Sequence, residues 1–334
     1  MRLLVTGGSG FIGSRLALAA RERGLEVVVT GQVNTESERS RVEELARAGI
    51  AMAIGSLQDA NFARQVVAGC DRVIHLAAAQ HEANVPDAYF ENLNIGATRT
   101  LLEASHRAGV RRFVHGSTIG VYGSADRGSL DEESPTHPDN IYGRTKLAAE
   151  QVVREYAPAL ETCIVRISET YGPGDIRLLK LFRAIDRGRF LMIGNGQNKR
   201  QIMYVTDLVR GLLIAAEHPA AVGEVVVMPG HEVMTTRQMV EQIANALGRP
   251  VPRLCLPIWP FMAAAVVFEA TLKPLGIQPP LHRRRLDFFR KNFVFSTRKA
   301  ETHLGFTPQI SFSDGARDTA AWYREKGLLA ARAG

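Results

Sequence analysis

The feature that most constrains this chain is a five-residue apolar strand that runs directly into a glycine turn. Arg2–Thr6 reads as a buried strand, and Gly7-Gly8-Ser9-Gly10-Phe11-Ile12-Gly13 follows it and opens a helical pattern at Phe11–Arg23. Glycines at positions 7, 10 and 13 let the backbone turn tightly and approach a pyrophosphate, while the helix start offers free N–H groups to it. The turn therefore predicts dinucleotide binding.

The same alternation continues. Strands are predicted at Glu26–Thr30, Ile50–Ile54, Arg72–Leu76, Arg111–His115 and Thr162–Ile167, with helical segments between them, such as Thr98–Ala108 and Ile141–Tyr156. Gly24, Gly49, Gly69 and Gly109 fall where those helices should end in a left-handed residue. Strands separated by crossover helices imply a doubly wound α/β fold with a parallel sheet. After Gly172 the rhythm changes: helices at Leu178–Arg187 and Val205–Glu217 flank a loop at Gly194–Arg200, and a late strand is expected at Glu224–Met228. Prolines then cluster from 250 to 280, predicting an irregular lobe. The expected division is a dinucleotide-binding domain over residues 1–172, its sheet completed by 202–228, with 173–201 and 229–330 forming a smaller α+β substrate lobe.

At 334 residues, 46% hydrophobic and 22% charged, the chain has the composition of an ordinary globular protein. Cys70, Cys163 and Cys255 have no metal or redox spacing, and are expected to be buried apolar side chains in a reducing compartment. No metal site is predicted. Met1 leads straight into the first strand rather than a signal peptide, so a cytoplasmic location is expected. The apolar run from Ile258 to Leu272 is too short for a bilayer span and is expected to be a buried helix of the smaller lobe; the alternative is an apolar lid that takes a lipid-like ligand or rests on a membrane. The net charge of +7 comes without a nucleic-acid-binding signature, so small anionic ligands are the better match.

Tyr142 and Lys146 lie four apart on a predicted helix, so they share a face. A tyrosine is a poor base at neutral pH, and a nearby ammonium would favour its phenolate. Ser117 and Thr118 follow the strand Arg111–His115, at the sheet end where parallel α/β folds bind ligands, and could hydrogen-bond a reacting alcohol or carbonyl oxygen.

These segments together resemble an extended short-chain dehydrogenase/reductase of the nucleotide-sugar epimerase/dehydratase group. The similarity rests on the glycine turn, His75-Leu76-Ala77-Ala78, Asn94 before Thr98–Ala104, Ser117–Gly123, Tyr142 with Lys146, Arg166 through Gly174, Arg200 before Tyr204–Asp207, and Leu304–Pro308. The resemblance implies Tyr142 as general acid/base, Lys146 as its ribose-binding partner, and Thr118 as the catalytic hydroxyl, with Ser117 adjacent. It implies a cofactor lined by Gly7, Gly10, Phe11, Ile12, Gly13, Ser56, Leu57, Leu76, Ala77 and Ala78. Asn94 would support a proton-relay water, and Arg200 would meet a substrate phosphate. It also implies a homodimer through the helices carrying Asn94 and Tyr142.

Four departures shape the expected activity. Ile119-Gly120 replace the Asp-Glu that the dehydratase branch carries after its Thr, so no dehydratase activity is expected. Glu169 stands where the family often has an Asn facing the substrate diphosphate, and an acid there would repel it. The second strand ends without an acid at Gly31, which tips the cofactor slightly from NAD toward NADP, with Arg39 or Arg41 as readers of a 2′-phosphate. Ser56 likewise replaces an Asp that contacts adenine. The expected function is NAD(P)-dependent oxidation or epimerisation of a nucleotide-sugar-like small molecule. Resemblance of Leu256–Trp259 and Leu286–Asn292 to the hydroxysteroid dehydrogenase-like branch leaves an NADP-dependent reductase of an apolar substrate as the alternative, and a non-catalytic dinucleotide sensor as a third reading.

Overall fold

Leu3 and Val5 of the first strand turn to one side of the sheet and Leu4 to the other, and all three are buried. A strand apolar on both faces must be covered on both. The computed structural model describes residues 1–80, 85–123, 128–272, 277, 281 and 283–330. In chain order its strands are β1 (Arg2–Thr6), β2 (Glu26–Gly31), β3 (Met52–Ile54), β4 (Arg72–His75), β5 (Arg112–Thr118), β6 (Glu161–Ile167), β7 (Thr170–Tyr171), β8 (Met192–Ile193), β9 (Lys199–Arg200), β10 (Met203–Tyr204), β11 (Val225–Met228), β12 (Met234–Thr235) and β13 (Cys255–Leu256). The helices are α1 (Phe11–Glu22), α2 (Glu36–Arg47), α3 (Ala60–Val67), α4 (Asp87–Glu91), α5 (Ala97–Arg107), α6 (Ile141–Tyr156), α7 (Leu179–Asp186), α8 (Val205–Glu217), α9 (Thr236–Leu247), α10 (Ile258–Leu272), α11 (Arg283–Leu286), α12 (Arg298–Leu304) and α13 (Phe312–Glu325).

Seven strands form a parallel sheet in the order β11-β6-β5-β4-β1-β2-β3. The fold is the doubly wound, Rossmann-type α/β sheet expected. The chain winds outward from β1 through β2 and β3, then returns to β4 and winds the other way. That reversal opens a crevice above the carboxyl ends of β1 and β4, where such sheets bind ligands. Leu3, Val5, Ile74, Val114 and Val165 pack on one face with α1 and α8. Leu4, Val73, Phe113 and Ile164 pack on the other with α3, α5 and α6. A separate core, built on Phe182, Ile243, Phe312 and Tyr323, joins α7, α9 and α13.

Several expectations need correction. β5 does not end at His115 but continues to Thr118, because Ser117 and Thr118 pair with Arg166 and Ile167 of β6. The Gly194–Arg200 loop ends in strand β9, which pairs with β12. A π-helical turn at Asn92–Gly96 precedes α5. Cys255 is exposed, unlike Cys70 and Cys163, and takes a hydrogen bond from Arg237. The helix α10 forms where expected but is not buried: Ala265 alone is fully covered, and Trp259 is 71% exposed. Pro274, Pro279, Pro280 and the tail from Ala331 lie outside the described residues.

Candidate active site

The crevice above β1 and β4 is a cavity of about 690 Å³. Its floor is the glycine turn. Gly7 has φ +69°, and a Cβ there would sit 2.8 Å from the amide nitrogen of Ala77. A Cβ on Gly13 would meet the Gly7 carbonyl oxygen at 2.2 Å. These contacts bring the start of α1 hard against the loop after β4. Gly10 is the N-cap of α1 and no side chain caps it, so the first-turn N–H groups face the cavity unclaimed. Thr6 ties the loop down: its hydroxyl accepts from the amides of Leu76 and Ala77, both at 3.1 Å.

Gly7, Gly10, Phe11, Ile12, Gly13, Ser56, Leu57, Leu76, Ala77 and Ala78 all line this cavity, as do Ser117, Thr118, Tyr142 and Glu169. A dinucleotide fits the lining on two counts: the glycine cradle leaves no room for side chains, and the buried Thr30 hydroxyl at the cavity wall has no protein partner.

Tyr142 reaches the cavity because α6 packs closely on the turn after β5. Asn140 caps α6 by accepting from the Gly143 amide at 2.9 Å. A Cβ at Gly143 would lie 2.6 Å from the Gly120 carbonyl oxygen, so glycine is what permits this approach. Thr118 holds the turn by accepting from the Gly120 amide at 3.0 Å, and its side chain lines the cavity together with the Tyr142 phenol. Burial raises the phenol to about 12; the nearby Thr118 side chain and then Arg177 oppose that rise. The cation acting on the tyrosine is therefore Arg177, a cavity-lining residue that sequence reasoning missed. Only the fold brings it near, since it lies 35 positions downstream.

Lys146 does not line the cavity with Tyr142. It is 1% exposed, with its Nζ 3.1 Å from His115 Nε2. Burial pulls it down to about 7, against the pull of Glu150. His115 lies beside His75, with ring centroids 5.5 Å apart. Burial, and then Lys146, lowers His75 to about 3 and His115 well below its ordinary range. Both imidazoles are thus neutral at pH 7, as their burial next to an amine requires.

The other expected residues are placed differently. The Ser117 hydroxyl donates to Glu150 at 2.6 Å, and Glu150 also takes a two-point bond from Arg166 at 3.0 and 2.9 Å. Ser117 is thereby tied into a buried ion pair rather than aimed at a ligand. Asn94 stands outside the cavity. Its amide is spent on the Ala79 backbone, at 2.8 and 3.0 Å, and on Thr145 at 2.9 Å, which clamps the loop after β4 onto α6. Arg200 is buried behind the wall, where it pairs with Glu169, donates to the Phe288 carbonyl at 2.8 Å and stacks on the Phe288 ring at 4.2 Å. The acid at Glu169 is thus charge-paired, which weakens the expectation that it repels a diphosphate.

The expected readers of a 2′-phosphate are also otherwise engaged. Arg41 donates to the carbonyls of Ser9 at 3.2 Å and Gly174 at 2.9 Å. Arg39 is a surface residue paired with Glu36. Glu38 does line that end of the cavity, where its carboxylate accepts from the amides of Asn34 and Thr35 in a capping box. The Thr35-x-x-Glu38 spacing was the available signal for it. Asp59, near Ser56, caps α3.

The NAD dependent epimerase/dehydratase family matches residues 3–228. A dTDP-glucose 4,6-dehydratase of Streptomyces niveus is 30% identical to this chain over 97% of it and 93% of its own length. An N-acetyl-alpha-D-glucosaminyl-diphospho-ditrans,octacis-undecaprenol 4-epimerase of Escherichia coli O157:H7 is 27% identical over 94% of this chain and 92% of its own. The crystal structure of a dTDP-glucose 4,6-dehydratase from Streptomyces venezuelae with NAD and TYD bound is similar with a TM-score of 0.77 and 29% identity, covering 99% of each chain. These relatives overturn the exclusion of dehydratases drawn from Ile119-Gly120: chains named for that activity match along nearly the full length, so two residues do not set this one apart. With the cradle, the Thr118–Tyr142 pair and the match in hand, this chain belongs to the NAD dependent epimerase/dehydratase family.

Proposed function

We propose that this chain acts by hydride transfer at a carbinol carbon of a nucleotide-sugar-like substrate, with Tyr142 handling the proton. The observation that carries the reading is that Tyr142 and Thr118 line the wall of the same cavity whose floor is the glycine turn. Bound NAD supplies the hydride acceptor. The first turn of α1 and the glycines at 7, 10 and 13 would hold its pyrophosphate, and Leu76 to Ala78 would lie against it.

With its phenol raised to about 12, Tyr142 holds its proton on Oη at neutral pH when the cavity is empty of charge. It is then ready to donate to a carbonyl oxygen. Any positive charge brought beside it lowers that value and lets Oη accept a proton from an alcohol. Thr118, on the same cavity wall, offers its one hydroxyl proton to that oxygen. Glu169 and the buried Ser168, whose hydroxyl has no protein partner, line the wall where the rest of the substrate would lie. We favour NAD over NADP because Glu38 lines that end of the cavity, while Arg41, which also lines it, is engaged by the carbonyls of Ser9 and Gly174. Residues 173–201 and 229–330, built on their own core, are the proposed substrate lobe, and two copies would pair through the helices carrying Asn94 and Tyr142.

The nucleotide-sugar reading draws on the activity named for the relative from Streptomyces niveus; the relative from Escherichia coli is named for a sugar carried on an undecaprenyl diphosphate. Mixing NAD-loaded protein with dTDP-glucose, UDP-glucose and UDP-N-acetylglucosamine under single-turnover conditions tests it. A transient at 340 nm with at least one of them is the expected outcome; none with any of the three would refute the substrate class.

A further inference from the structure

Helix α10 presents a problem that the fold does not solve. Its sequence, from Ile258 to Leu272, carries Glu269 and Thr271 as its only polar side chains, so it is apolar around its whole circumference. Helices of that kind are normally buried. Here Ala265 alone is buried, while Trp259, Val266, Val267 and Phe268 face outward. Of the twelve large apolar side chains exposed among the described residues, six fall between Leu254 and Ile277. The one acid in the helix is neutralised in place: Glu269 accepts from the backbone amide of Arg283 at 2.7 Å and pairs with its guanidinium at 2.9 Å.

The charge around this helix is equally uneven. Residues 253–291 hold seven lysines and arginines against two acids, so this stretch supplies five of the chain's net seven positive charges. Arg253 is exposed just before the helix, and Arg283, Arg285 and Arg290 are exposed after it. An apolar rod flanked by surplus cations matches a surface that is apolar inside and anionic at its rim. A second copy of the chain matches less well, because a two-fold contact would set each basic flank against its like.

We propose that α10 and the basic segment after it dock this protein on the surface of an anionic phospholipid membrane. The helix lies in the interface and does not cross it: fifteen residues span about 22 Å, against a hydrocarbon core of about 30 Å, and no helix among the described residues is long and apolar enough to cross. Its apolar side chains enter the acyl boundary and the arginines meet lipid phosphates. Docking also bears on the cavity. The turn after α11 carries Phe288, whose carbonyl and ring hold Arg200, and Arg200 in turn holds Glu169 at the cavity wall.

The test uses the full chain with vesicles of phosphatidylcholine alone and of phosphatidylcholine mixed with phosphatidylglycerol. Co-sedimentation is expected with the mixed vesicles, weakening as salt rises. Val267→Glu and Trp259→Glu are each expected to reduce it about tenfold or more, the loss of one inserted apolar side chain. Both positions are already exposed, so NADH binding should be unchanged in each variant and reports that folding survives. In a Trp322→Phe background the remaining Trp259 should shift its emission to the blue on adding mixed vesicles. Equal binding to both vesicle types, or to neither, would overturn the proposal. So would sedimentation showing a dimer that Val267→Glu dissolves, because a second copy would then be the cover.

Discussion

Replacing Lys146 with Met should change how stability depends on pH, and the size of the effect follows from where the amine lies. Lys146 is 1% exposed, and burial lowers it from 10.5 to about 7 despite the pull of Glu150. Above about pH 7 the folded chain has released this proton, while the unfolded chain keeps it until about pH 10.5. Raising the pH through that window therefore favours the folded state, and acidifying through it restores a charge that the buried site disfavours. Methionine has similar length and no proton to lose. Between about pH 7 and about pH 9 the wild type should gain about 2 kcal/mol of unfolding free energy relative to Lys146→Met. Urea unfolding of both proteins across a pH series measures this, and titrations common to the two chains cancel in the difference. A difference that stays flat, or one that falls as pH rises, would show that the ammonium keeps its charge inside the fold. The contact with His115 would then be a charged one.

Further outcomes follow from the same geometry. Gly13→Ala places a Cβ 2.2 Å from the Gly7 carbonyl oxygen, so NADH affinity measured by fluorescence titration should fall about tenfold or more. Glu150→Ala leaves Arg166 buried without its carboxylate, and chemical denaturation should register a loss of about 3–5 kcal/mol. NADH should bind about tenfold more tightly than NADPH, and Glu38→Gln, which keeps the capping box, should narrow that gap in the same titration.

Much of the fold was legible because its signals are local. The strand–turn–helix at Arg2–Glu22 needs only neighbouring residues, and Gly24, Gly49, Gly69 and Gly109 all take the positive φ expected at helix ends. Gly116-Ser117-Thr118 misled for the opposite reason. Its composition suits a turn, but seven residues of parallel pairing with β6 hold it extended.

The site was legible as a set of residues and less so as a set of contacts. Tyr142 and Lys146 share a helix, yet the Lys146 amine ends against His115, thirty-one positions away on β5. Glu169 and Arg200 each stood out in the sequence, but their pairing needs the loop between them to fold back. Arg177 and Gly143 had no signal beyond their types. The apolar pattern of α10 predicted burial, because periodicity reports what a helix needs and says nothing of what is there to cover it.

The central claim is that one phenol, at the wall of the dinucleotide cavity, carries the proton for the reaction. Tyr142→Phe removes only Oη. Two readings on that variant, NADH affinity by fluorescence and single-turnover reduction of bound NAD by whichever sugar nucleotide the wild type oxidises, test the claim together. Unchanged affinity with the 340 nm transient lost is the expected result; a transient of wild-type rate in the variant would contradict it.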